Sequence, residues 1–426
     1  MKTSISTYQA EAEITREAGY FLRKAREIVL SKLQKLKHCQ LNVLDGDNSH
    51  RFGEEHYNGE LKATLVVKDQ DFYLDVLFGG SIGAAESFMD GKWQTEDLTC
   101  LIRIFVINMD LLDEMEGGLA WFSKPARGLL HLMRRNTRSG SRKNISAHYD
   151  LGNEFFSLFL DKNLMYSCAV YPDRNSSLEE ASDYKLDRIC QKLDLTPDDH
   201  VVEIGTGWGG FSLFAARNYG CRVTTTTISR EQYKMAKQRI FDAGLEDRVE
   251  VLLSDYRDLD GKYDKLVSIE MIEAIGPGYL STYFRQCADL LKSDGVMLIQ
   301  AITISDQRYR QALKNVDFIQ KYIFPGGFLP SVSAMTNAIA QSSDLRVIKL
   351  DDIGPHYAQT LADWRKRFFQ NIEKVRKLGY SEEFVRMWEF YLGYCEGGFV
   401  EHALGTVHIV AEKPRALKSF RYQSTS

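Results

Sequence analysis

Apolar residues recur at helical spacing between residues 10 and 37, at Tyr20, Phe21, Ala25, Ile28, Val29, Leu33 and Leu36. They alternate with Arg16, Arg23, Lys24, Arg26, Lys32, Lys35 and Lys37, a pattern that predicts a basic amphipathic helix. The next apolar text, LKATLVVKDQDFYLDVLFGG at 61–80, alternates in part around the polar Asp69-Gln70-Asp71 and predicts a hairpin or short sheet. SIGAAESFMDGKW then reads as a loop and DLTCLIRIFVINMDLL as helix, closing a small α+β unit near residue 113.

From Val201 onward the pattern changes. VVEIG, CRVTTTT, VEVLLSD, KLVSIEMIE and VMLIQAITI are short β-branched or aliphatic runs, separated by stretches such as REQYKMAKQRIFDAG that carry helical periodicity. Strand and helix in alternation predict a parallel, doubly wound sheet. The C-terminal third adds helical text at LADWRKRFF and VRMWEFYLGYCEGGF and a last strand candidate at TVHIVAEK. Its density of aromatic side chains suits the cap of an apolar cleft.

Composition narrows the class. The chain has 426 residues, of which 44% are hydrophobic and 26% charged, so it has enough apolar side chains for a core and room for two or three domains. A net charge of −4 gives no global attraction to nucleic acid, which is not expected as a partner. Seven scattered cysteines without a C-x-x-C pair suggest neither a metal site nor a disulfide framework. The amino terminus lacks the apolar core of a signal peptide, and no apolar run reaches the ~18 residues of a membrane span, so a reducing, cytoplasmic location is expected.

One local departure stands out. SKPARGLLHLMRRNTRSGSRK, at 123–143, carries seven basic residues and no acid, with Leu129, Leu130, Leu132 and Met133 on its helical part. Contact with anionic lipid headgroups and a solvated interdomain linker explain it equally well. The expected organisation is an N-terminal α+β accessory or lipid-binding domain over 1–122, a basic linker over 123–145 and a catalytic domain over 146–426.

The strongest single feature is Val201-Val202-Glu203-Ile204-Gly205-Thr206-Gly207-Trp208-Gly209-Gly210-Phe211, a strand entering a glycine-rich turn and then a helix. Glycines there let the backbone take positive φ and leave no side chain between turn and ligand. The spacing satisfies G-x-G-x-x-G, but a dinucleotide site also wants an acid closing the next strand, which here ends in Thr224 to Thr227. That disfavours nicotinamide and leaves an S-adenosylmethionine (SAM) site, although most SAM methyltransferases place an acid at the same strand end.

Several ordered stretches carry a resemblance. They are Ala147 to Asn153 (AHYDLGN), Met165 to Ala169 (MYSCA), the E-I-G-T-G-W-G-G turn, Thr227-Ile228-Ser229-x-x-Gln232, and Asp255 to Leu259 (DYRDL). Glu270 to Gly276 (EMIEAIG) and Phe318 to Gly327 (FIQKYIFPGG) complete the set. Between about residues 50 and 412 the chain resembles the cyclopropane-fatty-acyl-phospholipid synthases and the mycolic acid cyclopropane synthases. The resemblance implies an α/β fold class: a Rossmann-like doubly wound sheet of SAM-methyltransferase type with a small α+β N-terminal domain.

It also implies that Tyr166, Ser167, Gly205, Gly207, Thr227, Gln232, Tyr256 and Arg257 lie at SAM-contacting positions, to which Glu203, Gly209 and Asp255 of the same motifs are added. The implied reaction is methyl transfer to a cis double bond of phospholipid acyl chains. It passes through a carbocation, whose passage calls for a dry pocket with aromatic walls. Phe155, Phe156, Tyr309 and the run Phe318 to Phe324 are candidates for those walls.

Ring closure needs a base. The resemblance implies a bound bicarbonate held by Cys168, Glu273, Gln300, the Ile302 backbone and Tyr357. In the family's strand-end pattern L-L-H-T-I a histidine stands where Leu298-Ile299-Gln300-Ala301-Ile302 has glutamine. An amide still donates to an anion but cannot relay a proton at neutral pH. Cyclopropane formation is the first expectation, and methylation without ring closure, giving a methyl-branched or methyl-olefinic chain, is the second. A non-catalytic lipid- or SAM-sensing module is the third. Expected partners are membrane phospholipid acyl chains, met from the inner face of the membrane through peripheral contact by the basic segments, with a homodimer left open.

Overall fold

The computed structural model describes residues 19–54, 58–117 and 152–416. The basic segment 123–145, the AHYDL part of the first motif and the start of the N-terminal helix lie outside them.

By internal contacts the chain forms two units, one made of 1–129 with 379–401 and the other of 130–378 with 402–426. The first departs from the expected continuous domain over 146–426, because the helix Glu382–Val400 groups with N-terminal residues. Within that unit, β1 (Gln40–Asp45), β2 (Asn48–Gly53), β3 (Lys62–Val67) and β4 (Trp93–Thr95) pair in the order β2-β1-β3-β4. The amphipathic helix runs over 19–33 and buries Ala25, Val29 and Leu33, while Tyr20, Phe21 and Ile28 stay exposed beside the basic residues.

One expectation for this unit is corrected. Only Lys62–Val67 of the predicted hairpin is strand; Phe72–Met89 is a helix that absorbs both the second half of that hairpin and the loop read after it. Asp69, Gln70 and Asp71 start it with turns whose carbonyls accept from Phe72, Tyr73 and Leu74 N–H. Short aliphatic runs suit a buried helix as well as a buried strand, so periodicity there does not discriminate.

The second unit carries a seven-stranded sheet: β5 (His200–Ile204), β6 (Arg222–Thr227), β7 (Val249–Leu253), β8 (Tyr263–Ile269), β9 (Leu291–Ile304), β10 (Arg346–Asp352) and β11 (Leu404–Glu412). Their order is β10-β11-β9-β8-β5-β6-β7. Strands β5 to β9 are parallel, as expected, whereas β11 runs antiparallel to β9 and β10 antiparallel to β11. Both faces are covered. Alternate residues of β9 show why: Met297, Ile299 and Ala301 join a core with the helices Leu280–Leu290 and Val332–Ser342, and Val296 and Leu298 join one with Leu178–Lys192 and Gly210–Tyr219.

That alternation puts Gln300 on the second face. The sheet register then lines up a row across four strands: Ile269 pairs with Gln300, Gln300 with His408, and His408 with Asp351. The site is built on this row.

Candidate active site

Where β5 ends, Gly205 takes φ +103° and Gly207 φ +51°, and the Gly205 and Thr206 N–H groups both donate to Thr226 O at 3.0 Å. A Cβ on Gly207 would meet nothing within 4 Å, so the turn faces open space there; one on Gly205 would press on Met271 at 3.2 Å. Gly209 caps the following helix in a left-handed conformation. This is a cradle with bare backbone, which fits a bulky ligand lying on it.

Around the cradle the remaining cofactor candidates form paired sets. Thr227 donates from its hydroxyl to Gln232 Oε1 at 2.8 Å, and both are buried, so Gln232 is not a solvated helix residue. Asp255 accepts from Arg257 twice through the guanidinium, at 2.8 and 2.6 Å, and once through its N–H. The same guanidinium lies over the rings of Tyr256 and Tyr279, at 5.7 and 5.8 Å from their centroids. Glu203 is buried beneath the turn and accepts from the Ser212 hydroxyl; burial pushes its carboxyl up to about 7.

Tyr166 and Ser167 stand between the cradle and the row on the sheet. The Tyr166 ring packs against Phe156 and Trp364, each at 5.3 Å between centroids, and against Phe324 at 6.1 Å. Phe155, Phe156 and Phe159 interlock behind it. Phe156 and Phe324, two of the expected wall residues, thus pack on Tyr166 in one aromatic cluster that also takes Trp364, which the sequence reading did not name. Tyr309 is half-buried on the helix Asp306–Ala312.

The five positions expected to hold bicarbonate do come together, but around carboxylates of this chain. Glu270 accepts three hydrogen bonds: from Cys168 N–H at 2.9 Å, from Gln300 Nε2 at 2.8 Å and from the Tyr357 hydroxyl at 2.7 Å. Ile302 N–H donates to Glu273 Oε1 at 2.6 Å. Glu273 Oε2 is buried and has no hydrogen-bond partner among the described residues. Burial, followed by the charge of Glu270, pushes the Glu273 carboxyl up to about 8.

Glu270 itself has φ +48°, a conformation uncommon outside glycine, and its N–H donates to Gln300 O at 2.8 Å. Burial raises its carboxyl, and the three donors together with the positive charge of Lys185 pull it back toward the anion. Lys185 is completely buried and donates to Ser167 Oγ at 2.8 Å. The Cys168 thiol is pushed far up by burial and donates to Ala169 O at 3.2 Å, so it is no nucleophile.

Behind Gln300 runs a supporting column. His408 and Gln300 approach at 2.9 Å between Nε2 and Oε1, Lys192 Nζ lies 2.6 Å from His408 Nδ1, and Lys192 pairs with Asp351 at 2.6 Å. Lysine can only donate, so His408 Nδ1 accepts and its Nε2–H faces Gln300. Desolvation, aided by Lys192, keeps His408 neutral, in accord with that tautomer.

Sequence reasoning missed Glu270, His408, Lys192 and Lys185 as site residues. Lys185 had a readable signal: it falls at helical spacing among Leu178, Ala181, Ser182, Leu186 and Ile189, on the buried face of its helix. Glu270 had the E-x-x-E spacing to Glu273, but the backbone turn that aims it at Gln300 has no local signature.

The chain matches the family described as mycolic acid cyclopropane synthetase over residues 136–409, more than half its length. It is 39% identical over 327 residues to the tuberculostearic acid methyltransferase UfaA1 of Mycobacterium tuberculosis, covering 75% of this chain and 76% of that protein. It is also 39% identical over 347 residues to the cyclopropane-fatty-acyl-phospholipid synthase of Escherichia coli strain K12, covering 80% and 86%. Among solved structures, the mycolic acid cyclopropane synthase CmaA1 complexed with SAH and CTAB superposes with a TM-score of 0.60 at 31% identity, over 64% of this chain and 98% of that one.

Proposed function

The chain belongs to the mycolic acid cyclopropane synthetase family of SAM-dependent methyltransferases, and we propose that its acceptor is the cis double bond of an unsaturated acyl chain in a membrane phospholipid. The product is the cyclopropane chain. The observation that carries this reading is the junction made by Tyr357, whose hydroxyl holds the Glu270 carboxylate while its ring stands edge-on to Trp364, 6.0 Å away and perpendicular. An aromatic cluster thus meets a carboxyl group held by three donors.

The glycine cradle, Thr227 with Gln232, and Asp255 with Arg257 fit SAM and would hold it. SAM when bound supplies an electrophilic methyl group. Control of the resulting cation falls to this chain. A double bond that gains a methyl becomes a carbocation, and the rings of Tyr166, Phe156, Phe324 and Trp364 stabilise it through their electron-rich faces while keeping water away. Burial raises both carboxyls, that of Glu273 to about 8, but three donors converge on Glu270 and one reaches Glu273, so the hydrogen bonds favour the carboxylate form at Glu270.

Bicarbonate does not fit this arrangement. The donors expected for it end on Glu270 and Glu273, so no step runs through it.

The acyl substrate resides in a membrane, and among the described residues no helix is long and apolar enough to cross one. Peripheral contact at the inner face, through the basic segment 123–145 and the exposed Tyr20 and Phe21 of the basic helix, is the route proposed to the substrate. A second reading, methylation without ring closure, is favoured by the name of one relative, a tuberculostearic acid methyltransferase.

Expression in a bacterium that lacks its own cyclopropane synthase, with mass spectrometry and NMR of its fatty acids, tests the proposal. Saturated chains one CH2 heavier than their monoenes, with cyclopropyl proton signals, support it. Methyl-branched or methyl-olefinic chains support the second reading, and an unchanged profile with SAM-binding protein present contradicts both.

A further inference from the structure

We infer that the Glu270 carboxylate is the base that removes the proton after methyl transfer, a built-in replacement for an exchangeable bicarbonate. The inference rests on the acceptor chemistry proposed above.

Four observations carry it. First, three donors converge on Glu270 from separate elements: a backbone N–H at Cys168, an amide on β9 and a phenol on the helix Gly354–Gln370. Such a set is an anion site, and a side chain of this protein fills it. Second, Glu270 keeps φ +48°, a position that costs backbone energy for any residue but glycine and persists where the surroundings hold it.

Third, the amide that faces Glu270 is prevented from turning. Asp351 fixes Lys192, Lys192 fixes the His408 tautomer, and His408 Nε2–H takes the Gln300 oxygen, so only the NH2 end remains for Glu270. Gln300 thus replaces an imidazole without losing the donor, and the glutamine and the glutamate work as a pair. Fourth, the bonds are uneven. Oε1 takes the Cys168 and Gln300 donors, and Oε2 takes the Tyr357 hydroxyl, which leaves Oε2 the more lightly bonded oxygen.

The step balances. After transfer the substrate carries one positive charge; a C–H bond of the delivered methyl breaks, its electron pair forms the C–C bond that closes the ring, and the proton passes to Glu270 Oε2. The substrate becomes neutral and so does Glu270. Burial raises the affinity of this carboxyl for a proton, which strengthens it as a base.

The test compares the wild type with Glu270→Gln and Glu270→Gly in buffer stripped of carbon dioxide and in buffer with added bicarbonate. Glycine suits the positive φ and leaves the three donors free. The inference predicts wild-type turnover that is indifferent to bicarbonate and a loss on the order of 10²- to 10⁴-fold in Glu270→Gln with SAM affinity retained. It also predicts partial recovery of Glu270→Gly on adding bicarbonate. A wild type that falls tenfold without bicarbonate and recovers with it overturns the inference, as does an active Glu270→Gln.

Calorimetry supplies a readout apart from turnover. Bicarbonate titrated into the SAH-loaded protein should bind Glu270→Gly and not the wild type; equal binding to both overturns the assignment. If no variant modifies acyl chains although all bind SAM, the acceptor reading fails, and the titration still decides whether Glu270 fills the anion site.

Discussion

His408 Nε2 lies 2.9 Å from Gln300 Oε1, and this contact decides which end of the Gln300 amide reaches Glu270. Replacing His408 by leucine removes the constraint and leaves Lys192 with Asp351 as its remaining partner. A buried hydrogen bond of this kind contributes ~1 kcal/mol. The expected result is a kcat about tenfold lower with the KM for SAM unchanged, and substantial recovery in His408→Gln, which keeps an N–H donor. A parallel change in KM would assign the residue to the cofactor site instead.

The two cradle glycines should respond differently. Gly205→Ala brings a Cβ to 3.2 Å from Met271 at φ +103°, so it should lower folding stability by about 1–3 kcal/mol. Gly207→Ala adds a methyl where nothing lies within 4 Å, at a left-handed φ that alanine enters for about 1–2 kcal/mol. Its larger effect should be on the ligand: SAM affinity by calorimetry should fall at least tenfold. Unchanged affinity in Gly207→Ala would mean that the open side of the turn does not face the cofactor.

The stability that Glu203 contributes should decline as pH rises. The Glu203 carboxyl is lifted by burial from 4.5 to about 7, so the folded chain holds a proton that the unfolded chain releases. The contribution is complete below about pH 4.5 and is lost as pH climbs through about 7, amounting to a few kcal/mol at ~1.4 kcal/mol per unit. Glu273, lifted to about 8, acts with the same sign. His408, kept neutral by burial, acts with the opposite sign, so the Glu203 contribution is read as a difference: between pH 5 and pH 8 at constant ionic strength the Tm should fall less, or rise more, in Glu203→Gln than in the wild type. A steeper fall in that variant would contradict the account.

Reversing Arg134, Arg135 and Arg138 to glutamate should weaken sedimentation with anionic vesicles at low salt, since each basic residue near such a surface contributes ~1 kcal/mol. Neutral vesicles should show little change. Unaltered binding to anionic vesicles would remove the basic segment from the membrane contact.

The parts of this protein that local chemistry dictates were legible in its sequence. The alternation of VVEIG, CRVTTTT and VEVLLSD with helical text announced β5, β6 and β7, and the glycine turn announced a cradle. The antiparallel β10 and β11 were not legible as a pair, because strand order depends on which edges the intervening helices cover. Nor was the helix Phe72–Met89, whose apolar run fits two periods. At the site, Cys168, Gln300 and Tyr357 were located by the family resemblance, whereas their common partner was not. Glu270 meets them only through the register Ile269 to Gln300 and a left-handed residue at the end of β8, both long-range properties.

The central claim, methyl transfer to an acyl double bond with proton removal from the delivered methyl, is tested most directly with SAM carrying a trideuteromethyl group. Purified protein would be incubated with this donor and vesicles of monounsaturated phospholipid, and the released fatty acids read by mass spectrometry and NMR. The account predicts a ring CH2 that keeps two of the three deuterium atoms. A chain that keeps all three would place the lost proton elsewhere on the substrate, and acyl chains without deuterium, from protein that binds SAM, would contradict the account.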